Sequence, residues 1–461
     1  MASKQIVIVG AGFASAALVT HLLKGGIQPK DLLVIGNGLL GAGNAYGCNN
    51  NVFRLNVRED LPIIFSDDPL HFARWAQANI DDPEAKTNAG YFYRRQDFAR
   101  YMNAVVREYD PHSEVQQIFA KVIQIINRDG EWELTLDTQK TLTAKNLVLA
   151  TGNADPQWPC EIHIHPAASA TVIQNSLVEN PWTGNWIQDV HPTEEIILLG
   201  GGLTALDAIS ALATQGHQGT IRLISPRSAM PPQQAYWSRS HQPPWPASLT
   251  PRSLVRFMRQ YLPTSSPSSS EWQCAWEELR PQLNMIWQSF SSLQRKKLLK
   301  RLGWLWSLYR FRASPQTIHS LNKLALNQQI HTEIARAQKI DLLKDKVIIH
   351  LNNGKQIQGD RLINCTGVGK DLLIKSVISQ GTVMPDALGQ SIAVNPDFQV
   401  MRSPISAWDS FFMIGPGTMG SLGDVVAASS IAAQAEKLSK NLIANASYLC
   451  QRTTDSKREC A

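Results

Sequence analysis

Two short apolar runs, each emptying into a glycine-rich turn, constrain this chain more than any other feature. Ile6–Val9 is wholly aliphatic and leads directly into Gly10-Ala11-Gly12-Phe13-Ala14-Ser15, a mostly apolar stretch Ala16–Leu23, a stop at Lys24-Gly25-Gly26, and a second aliphatic run Leu32–Ile35. The order returns near the middle: Ile196–Leu199, then Gly200-Gly201-Gly202-Leu203-Thr204-Ala205, an apolar Leu206–Ala213, Gly216, and Thr220–Ile224. A β-branched run too short for a helix and followed by such a turn reads as a strand buried on both faces of a parallel sheet. Strand, glycine turn, helix and strand at this spacing form one βαβ unit of the dinucleotide-binding type.

The residue types follow from what the turn must do. Gly10 permits a tight turn, Gly12 lets backbone approach a pyrophosphate, and Ser15 is small enough for the helix to pack on the sheet. The anion would rest on free N–H groups at the helix N-terminus, where the dipole favours it. Candidate cofactor contacts are therefore Gly10, Gly12, Phe13, Ser15 and Asn37 in the first unit. In the second they are Gly200, Gly202, Leu203 and Thr204, with Ser225 and Arg227 beyond the later strand. A carboxylate at that place favours the free 2′-hydroxyl of NAD, whereas a hydroxyl plus an arginine suits the 2′-phosphate of NADP. The first unit lacks its ribose-binding acid, since its second strand ends in Gly36-Asn37-Gly38, so Asn37 would bind a ribose without a full charge.

Composition bounds the rest. With 461 residues the chain is too long for one ordinary core, and 43% hydrophobic against 18% charged residues describes a globular protein. A net charge of +6 suits an anionic ligand without calling for nucleic acid. The six cysteines, Cys48, Cys160, Cys274, Cys365, Cys450 and Cys460, form no C-x-x-C and read as small buried hydrophobes. His71 and His217 have no neighbours at ligand spacing and read as ordinary side chains, so no metal is expected. With neither a signal peptide nor a long apolar span, the expected compartment is the cytoplasm.

Further motifs carry a family resemblance. Asn146–Asn153 and Arg361–Gly367 are each a strand followed by a Thr-Gly turn. Gly41-Ala42-Gly43-Asn44-Ala45-Tyr46, Leu55-Asn56-Val57 and Ser66-Asp67-Asp68-Pro69-Leu70-His71-Phe72-Ala73-Arg74-Trp75 follow the first unit, then Arg94-Arg95 and Arg100-Tyr101, with Tyr93 where a proline is usual. The middle stretch has Leu279-Arg280-Pro281, Ile286-Trp287, Arg295-Lys296-Lys297 and Trp304, and Ile414-Gly415-Pro416 stands near the end. From about residue 5 to 440 this series resembles a bacterial family of FAD/NAD(P)-binding proteins, two-dinucleotide-domain flavoproteins related to flavin-dependent monooxygenases.

The resemblance implies an α/β chain with two Rossmann-like dinucleotide-binding domains and a helical subregion. Residues 1–160 and 341–445 would form a discontinuous FAD domain. Residues 190–340 would form an inserted NADPH domain with a helical insertion at about 229–318, and 446–461 a flexible tail. Asn56 would lie near the flavin ring as the catalytic candidate. Tyr46, Arg95, Val122, Thr151, Gly152, Asn153, Gly367, Gly415 and Pro416 would help to hold cofactor, with Thr418 near the ring. The expected cofactors are FAD and NADPH, and the expected activity an oxidoreductase that forms a peroxyflavin and oxygenates a small-molecule substrate. Two alternatives stay open: a reductase or dehydrogenase without oxygen insertion, and a non-catalytic redox sensor. No F-x-G-x-x-x-H of the Baeyer–Villiger type follows Asn153. The second Thr-Gly turn continues Val368-Gly369, without the tyrosine usual in N-hydroxylases.

Seven of the thirteen tryptophans fall between Trp237 and Trp306. They could line a substrate pocket or simply make a small helical core. Lys296–Trp306 is basic and aromatic at helical spacing and reads as part of the fold, not as a membrane contact.

Overall fold

The computed structural model describes residues 4–459 except 49 and 240, with side chains described for residues 5–444 apart from the same two. Each glycine turn stands where the sequence put it. In the first unit β1 (Lys4–Val9) runs into α1 (Phe13–Lys24) and back to β2 (Leu32–Ile35). β1 lies between β2 and β3 (Thr141–Leu149), parallel to both, with Val9 opposite Ile35 on one side and Leu149 on the other. Strands 116–118, 399–403 and 406–413 and the hairpin 122–136 complete an eight-stranded sheet. Ile6, Val7, Ile8, Leu32 and Val34 are all at or below 1% exposed, because helices on one face and the rest of the domain on the other cover the sheet completely.

The second unit repeats the design with β4 (Ile196–Leu199), α2 (Leu203–Thr214) and β5 (Ile221–Ser225) in a five-stranded parallel sheet. Alternation along β4 decides what covers it. Ile196 and Leu198 pack with Ala205, Ile209 and Leu212 of α2. Ile197 and Leu199 face Ile340, Val347 and Ile349 of a separate four-stranded sheet. Each such fully buried aliphatic side chain stabilises the lobe by about 1.5–3 kcal/mol.

The insertion is helical: α3 (Pro251–Tyr261), α4 (Ser270–Ser289) and α5 (Ser292–Arg310). Their N-termini are capped by the hydroxyls of Thr250, Ser269 and Ser291, which is why each helix starts where the Ser/Thr signal stands.

Three boundaries differ from expectation. Strand β6 (Arg361–Asn364) pairs with β4 inside the second sheet, Ile196 opposite Arg361 and Leu199 opposite Asn364. Strands 337–342, 347–351 and 356–359 belong to the small sheet that covers it, and 161–164 joins the same sheet. The second lobe therefore takes in strands from 161 to 364, beyond the expected 190–340, and the return to the first core comes after 370 with helix 372–379. The sequence alone could not choose, because an apolar strand such as Leu362-Ile363 suits either sheet. The third difference is at the end: the segment expected to be a flexible tail from 446 continues helix α6 (Ala428–Glu459). Cys450 and Cys460 lie outside the described side chains.

Candidate functional site

The two glycine turns are near copies of one another. Gly10 and Gly200 hold φ of +115° and +119°, a region closed to side chains. A Cβ on Gly10 would lie 2.3 Å from the Ala150 carbonyl, and one on Gly200 would lie 2.3 Å from that of Cys365. Each turn is thus pressed against the Thr-Gly turn of a neighbouring strand, Thr151-Gly152 in the first lobe and Thr366-Gly367 in the second. Gly12 and Gly202 are different. Both have ordinary backbone angles (φ −84° and −90°), and a Cβ there would meet only Gly43 Cα at 3.7 Å or nothing within 4 Å.

The helices behind these turns begin without a side-chain cap, Gly12 and Gly202 standing at the N-cap, while the insertion helices are all capped. Open N–H groups behind a glycine that leaves space in front form an anion cradle. The fully buried Ser15 donates its Oγ–H to the Gly10 carbonyl at 2.6 Å, so its role is to hold the turn.

The loop after β2 explains the absent carboxylate in part. A Cβ at Gly36 would lie 2.6 Å from Ala11 N, so no side chain fits there. The exposed Asn37 projects from a loop held by Gln117, whose Nε2 donates to the carbonyls of Gly36 and Gly38. In the second lobe Ser225 is buried, its Oγ 3.0 Å from where a Cβ on Gly201 would stand, and Arg227 is exposed. The Arg227 guanidinium lies over the Trp304 ring at 4.2 Å, which brings helix α5 to the second turn.

Other expected residues fall into three groups. Gly415 stacks over α1, where its Cβ would meet that of Ala14 at 3.6 Å. Its N–H donates to Gln434 Oε1 at 2.7 Å, next to the half-buried Pro416. The Thr418 hydroxyl, expected near the ring, instead donates to the Gly415 carbonyl and accepts from Gln434 Nε2, so it braces the turn from within. Gly152 and Asn153 are exposed beside the first turn, where Asn44 Nδ2 donates to the Asn153 carbonyl. Phe13 and Tyr46 pack edge-on, and Val122 opens a strand in the core.

Arg95 is engaged elsewhere. Its Nη2 donates to Asp207 Oδ2 on α2 at 2.6 Å and its Nε to the Arg54 carbonyl at 3.1 Å, so it joins the two lobes. Burial raises the Asp207 carboxyl above its usual range, and the Arg95 charge opposes that. Thr204 accepts a bond from Trp182 Nε1, Leu203 is half-buried beside it, and Gly367 turns at φ +100°. The linkers that cross between lobes run side by side: Gln157 Nε2 donates to the Lys370 carbonyl, and Gln157 Oε1 accepts from its N–H.

Sequence reasoning missed what the insertion builds. Helices α3, α4 and α5 and the segment 419–424 enclose a cavity of about 520 Å³. Met258, Trp272, Trp276, Trp287, Trp306 and Tyr309 line it. The tryptophans make a small helical core and line a cavity as well, because Trp272 and Trp276 are buried, stack at 5.2 Å and also form the wall. The segment 419–424 continues directly from the Gly415–Thr418 turn. Trp287 Nε1 donates to the Gly420 carbonyl, and Asn284 brackets Asp424 with bonds to its N–H and carbonyl. Asp424, which itself lines the cavity, accepts from Arg280 and Arg310, and Glu277 accepts from Arg280 and Arg312. Burial pushes the Glu277 carboxyl up, but Arg280, Arg312 and Arg310 outweigh it and hold it below its usual range. Burial pushes Arg312 down to about 10. Asn56 is half-buried, two residues before Arg58, whose guanidinium lies 4.6 Å from the rings of both Tyr236 and Trp237 of the insertion.

Residues 7–154 match the family model described as FAD-NAD(P)-binding. Across the whole chain the architecture matches solved flavoproteins. This is the fold of the two-dinucleotide-domain flavoproteins. An ornithine N-hydroxylase from Kutzneria sp. 744, in a structure with reduced FAD, NADP+ and ornithine, is 14% identical with a TM-score of 0.62, covering 95% of this chain and 99% of its own. An L-lysine 6-monooxygenase from Pseudomonas syringae is 15% identical with a TM-score of 0.62, at 95% and 99% coverage. An FAD-bound cadaverine monooxygenase from Erwinia amylovora is 13% identical with a TM-score of 0.61, at 96% and 95%. No curated protein sequence matches the chain. Among the described residues no helix is long and apolar enough to cross a membrane.

Proposed function

We propose that this chain is an FAD-dependent, NADPH-using oxidoreductase that oxygenates a small molecule. What carries the proposal is the pair of matched, uncapped glycine turns, one per lobe, joined by linkers that lie side by side. The residues fit FAD at the first turn, because Gly12 leaves space exactly where a side chain would obstruct a pyrophosphate and the α1 N–H groups behind it are open.

Gly10, Gly12 and Phe13 would hold the pyrophosphate half of FAD, with Ser15 bracing their turn, Asn37 at the ribose and Val122 toward the adenine. Tyr46, Asn56, Thr151–Asn153, Gly415 and Pro416 would hold the flavin half. Gly200, Gly202, Leu203, Thr204 and Gly367 would hold NADPH, with Ser225 and Arg227 at its 2′-phosphate. Bound FAD supplies a two-electron acceptor for the nicotinamide hydride and, once reduced, a centre that reacts with dioxygen. In the overall balance the electron pair comes from NADPH, one oxygen atom enters the substrate and the other leaves as water.

The chain's own contribution is positional. Gln434 and Thr418 fix the Gly415 turn, Arg95 and Asp207 tie the lobes together, and the aromatic cavity lies next to that turn. The related folds in solved hydroxylases of ornithine, lysine and cadaverine support an oxygenase in particular.

An oxygen electrode tests the proposal with FAD-loaded protein. NADPH should drive oxygen uptake faster than NADH does, with substrate raising the rate and lowering the peroxide released. Tightly bound FAD that NADPH neither reduces nor turns over would overturn it.

A further inference from the structure

We infer that the cavity enclosed by α3, α4 and α5 binds a single-chain amphiphile with an apolar body and an anionic head. The inference rests on the proposed oxygenase only in treating this ligand as the substrate. The body follows from the lining. Leu254, Met258, Leu283, Leu298 and Leu302 join four tryptophans around about 520 Å³, a volume within the range that takes drug-sized ligands. A short hydrophilic diamine would leave most of this surface unmatched.

The sign of the head follows from charge. Helices α3 and α5 contain no acidic residue. They expose Arg252, Arg256 and Arg259 on one and Lys296, Lys297, Lys300 and Arg301 on the other, and none of these makes an ion pair among the described residues. Arg259 itself lines the cavity. Arg252, Arg256 and Arg259 follow helical i, i+4, i+7 spacing, so one stripe of cations runs beside the lining face. Asp424, the acidic residue in the lining, is held by Arg280 and Arg310, and with Glu277 and Arg312 this cluster sets three positive charges against two negative ones. A cationic head would enter a positive field, and an anionic one would be drawn in. The wall also holds an unused donor: Trp276 is 3% exposed and its Nε1 has no hydrogen-bond partner.

The test uses the whole protein, with and without FAD, and three probes of equal chain length: dodecanoate, dodecanol and dodecylammonium. Four tryptophans line the cavity, so intrinsic fluorescence reports occupancy. Dodecanoate should bind saturably and more tightly than dodecanol, with dodecylammonium weakest. Leu302→Trp, which fills the cavity, should abolish binding. Arg259→Glu, at an exposed position, should weaken dodecanoate by roughly tenfold and leave dodecanol unchanged. Dodecylammonium binding as well as dodecanoate, or binding unaffected by L302W, would overturn the inference. NADPH-driven oxygen uptake is read separately, so a failure of the oxygenase proposal shows as binding without turnover.

Discussion

Alanine in place of each glycine of the first turn should separate a residue the fold needs from one the ligand needs. At Gly10 the backbone sits at φ +115°, and the new Cβ would lie 2.3 Å from the Ala150 carbonyl. Strain in that region costs about 1–3 kcal/mol. The clash adds to it by forcing β1 from β3, so G10A should lose at least about 3 kcal/mol and fold poorly. At Gly12 the backbone is φ −84°, ψ −168°, open to any residue, and the nearest atom is Gly43 Cα at 3.7 Å. Alanine gains about 0.4–1 kcal/mol by restricting the unfolded chain. It loses a few tenths or more as a poor N-cap. The apoprotein of G12A should therefore melt within about 0.5 kcal/mol of the parent, yet bind FAD at least roughly tenfold more weakly. Thermal melts of apoprotein and fluorescence titration with FAD read the two effects. If G12A unfolds like G10A, or keeps full FAD affinity, the assignment of the cradle is wrong.

Three further outcomes follow from other parts of the molecule. Arg227→Ala should raise KM for NADPH about tenfold while leaving NADH unchanged, in steady-state kinetics with both cofactors; an equal effect on both would remove Arg227 from the 2′-phosphate. Glu277→Gln strips a partner from buried Arg312 and half-buried Arg280 and should cost about 3 kcal/mol or more in urea unfolding, and a loss under 1 kcal/mol would mean the cluster does not anchor the insertion. Burial lowers the pKa of His21 and His217, outweighing the Ile64 carbonyl at the first and Glu194 at the second. The unfolded chain gains protons below about pH 6.5 that the folded chain refuses, so stability is full above that pH and falls as pH drops toward the folded values. Melts from pH 7.5 to 5.5 should show this decline, and His217→Leu should flatten it, since neither ring nitrogen of His217 has a partner.

The glycine turns were legible because their chemistry is local. A buried strand, a positive-φ glycine and a helix N-terminus lie within a dozen residues, and each leaves its mark on residue type. The later part of the second lobe was not legible. Arg361–Asn364 is an apolar strand that could pair in either sheet, and only its register with Ile196–Leu199 decides. Arg95 is expected to help hold FAD only through the family resemblance of its segment. Its partner Asp207 is 112 positions away, on a helix whose apolar sequence gives no sign of an inter-lobe contact. The cavity was half visible. The tryptophan concentration and the Lys296–Arg301 run were apparent, but not that Asn284 and Trp287 would clamp the segment beyond the Gly415 turn and so close a pocket there. The absence of any acid from α3 and α5 was the overlooked signal.

FAD in the first lobe and NADPH in the second can both be read from the visible spectrum of the purified protein, reconstituted with FAD if needed, as NADPH and then NADH are added in air. The expected result is a flavin spectrum that NADPH bleaches faster than NADH, with oxygen consumed as the colour returns. A colourless protein that cannot be reconstituted with FAD, or a flavin that NADPH leaves oxidised, would contradict it.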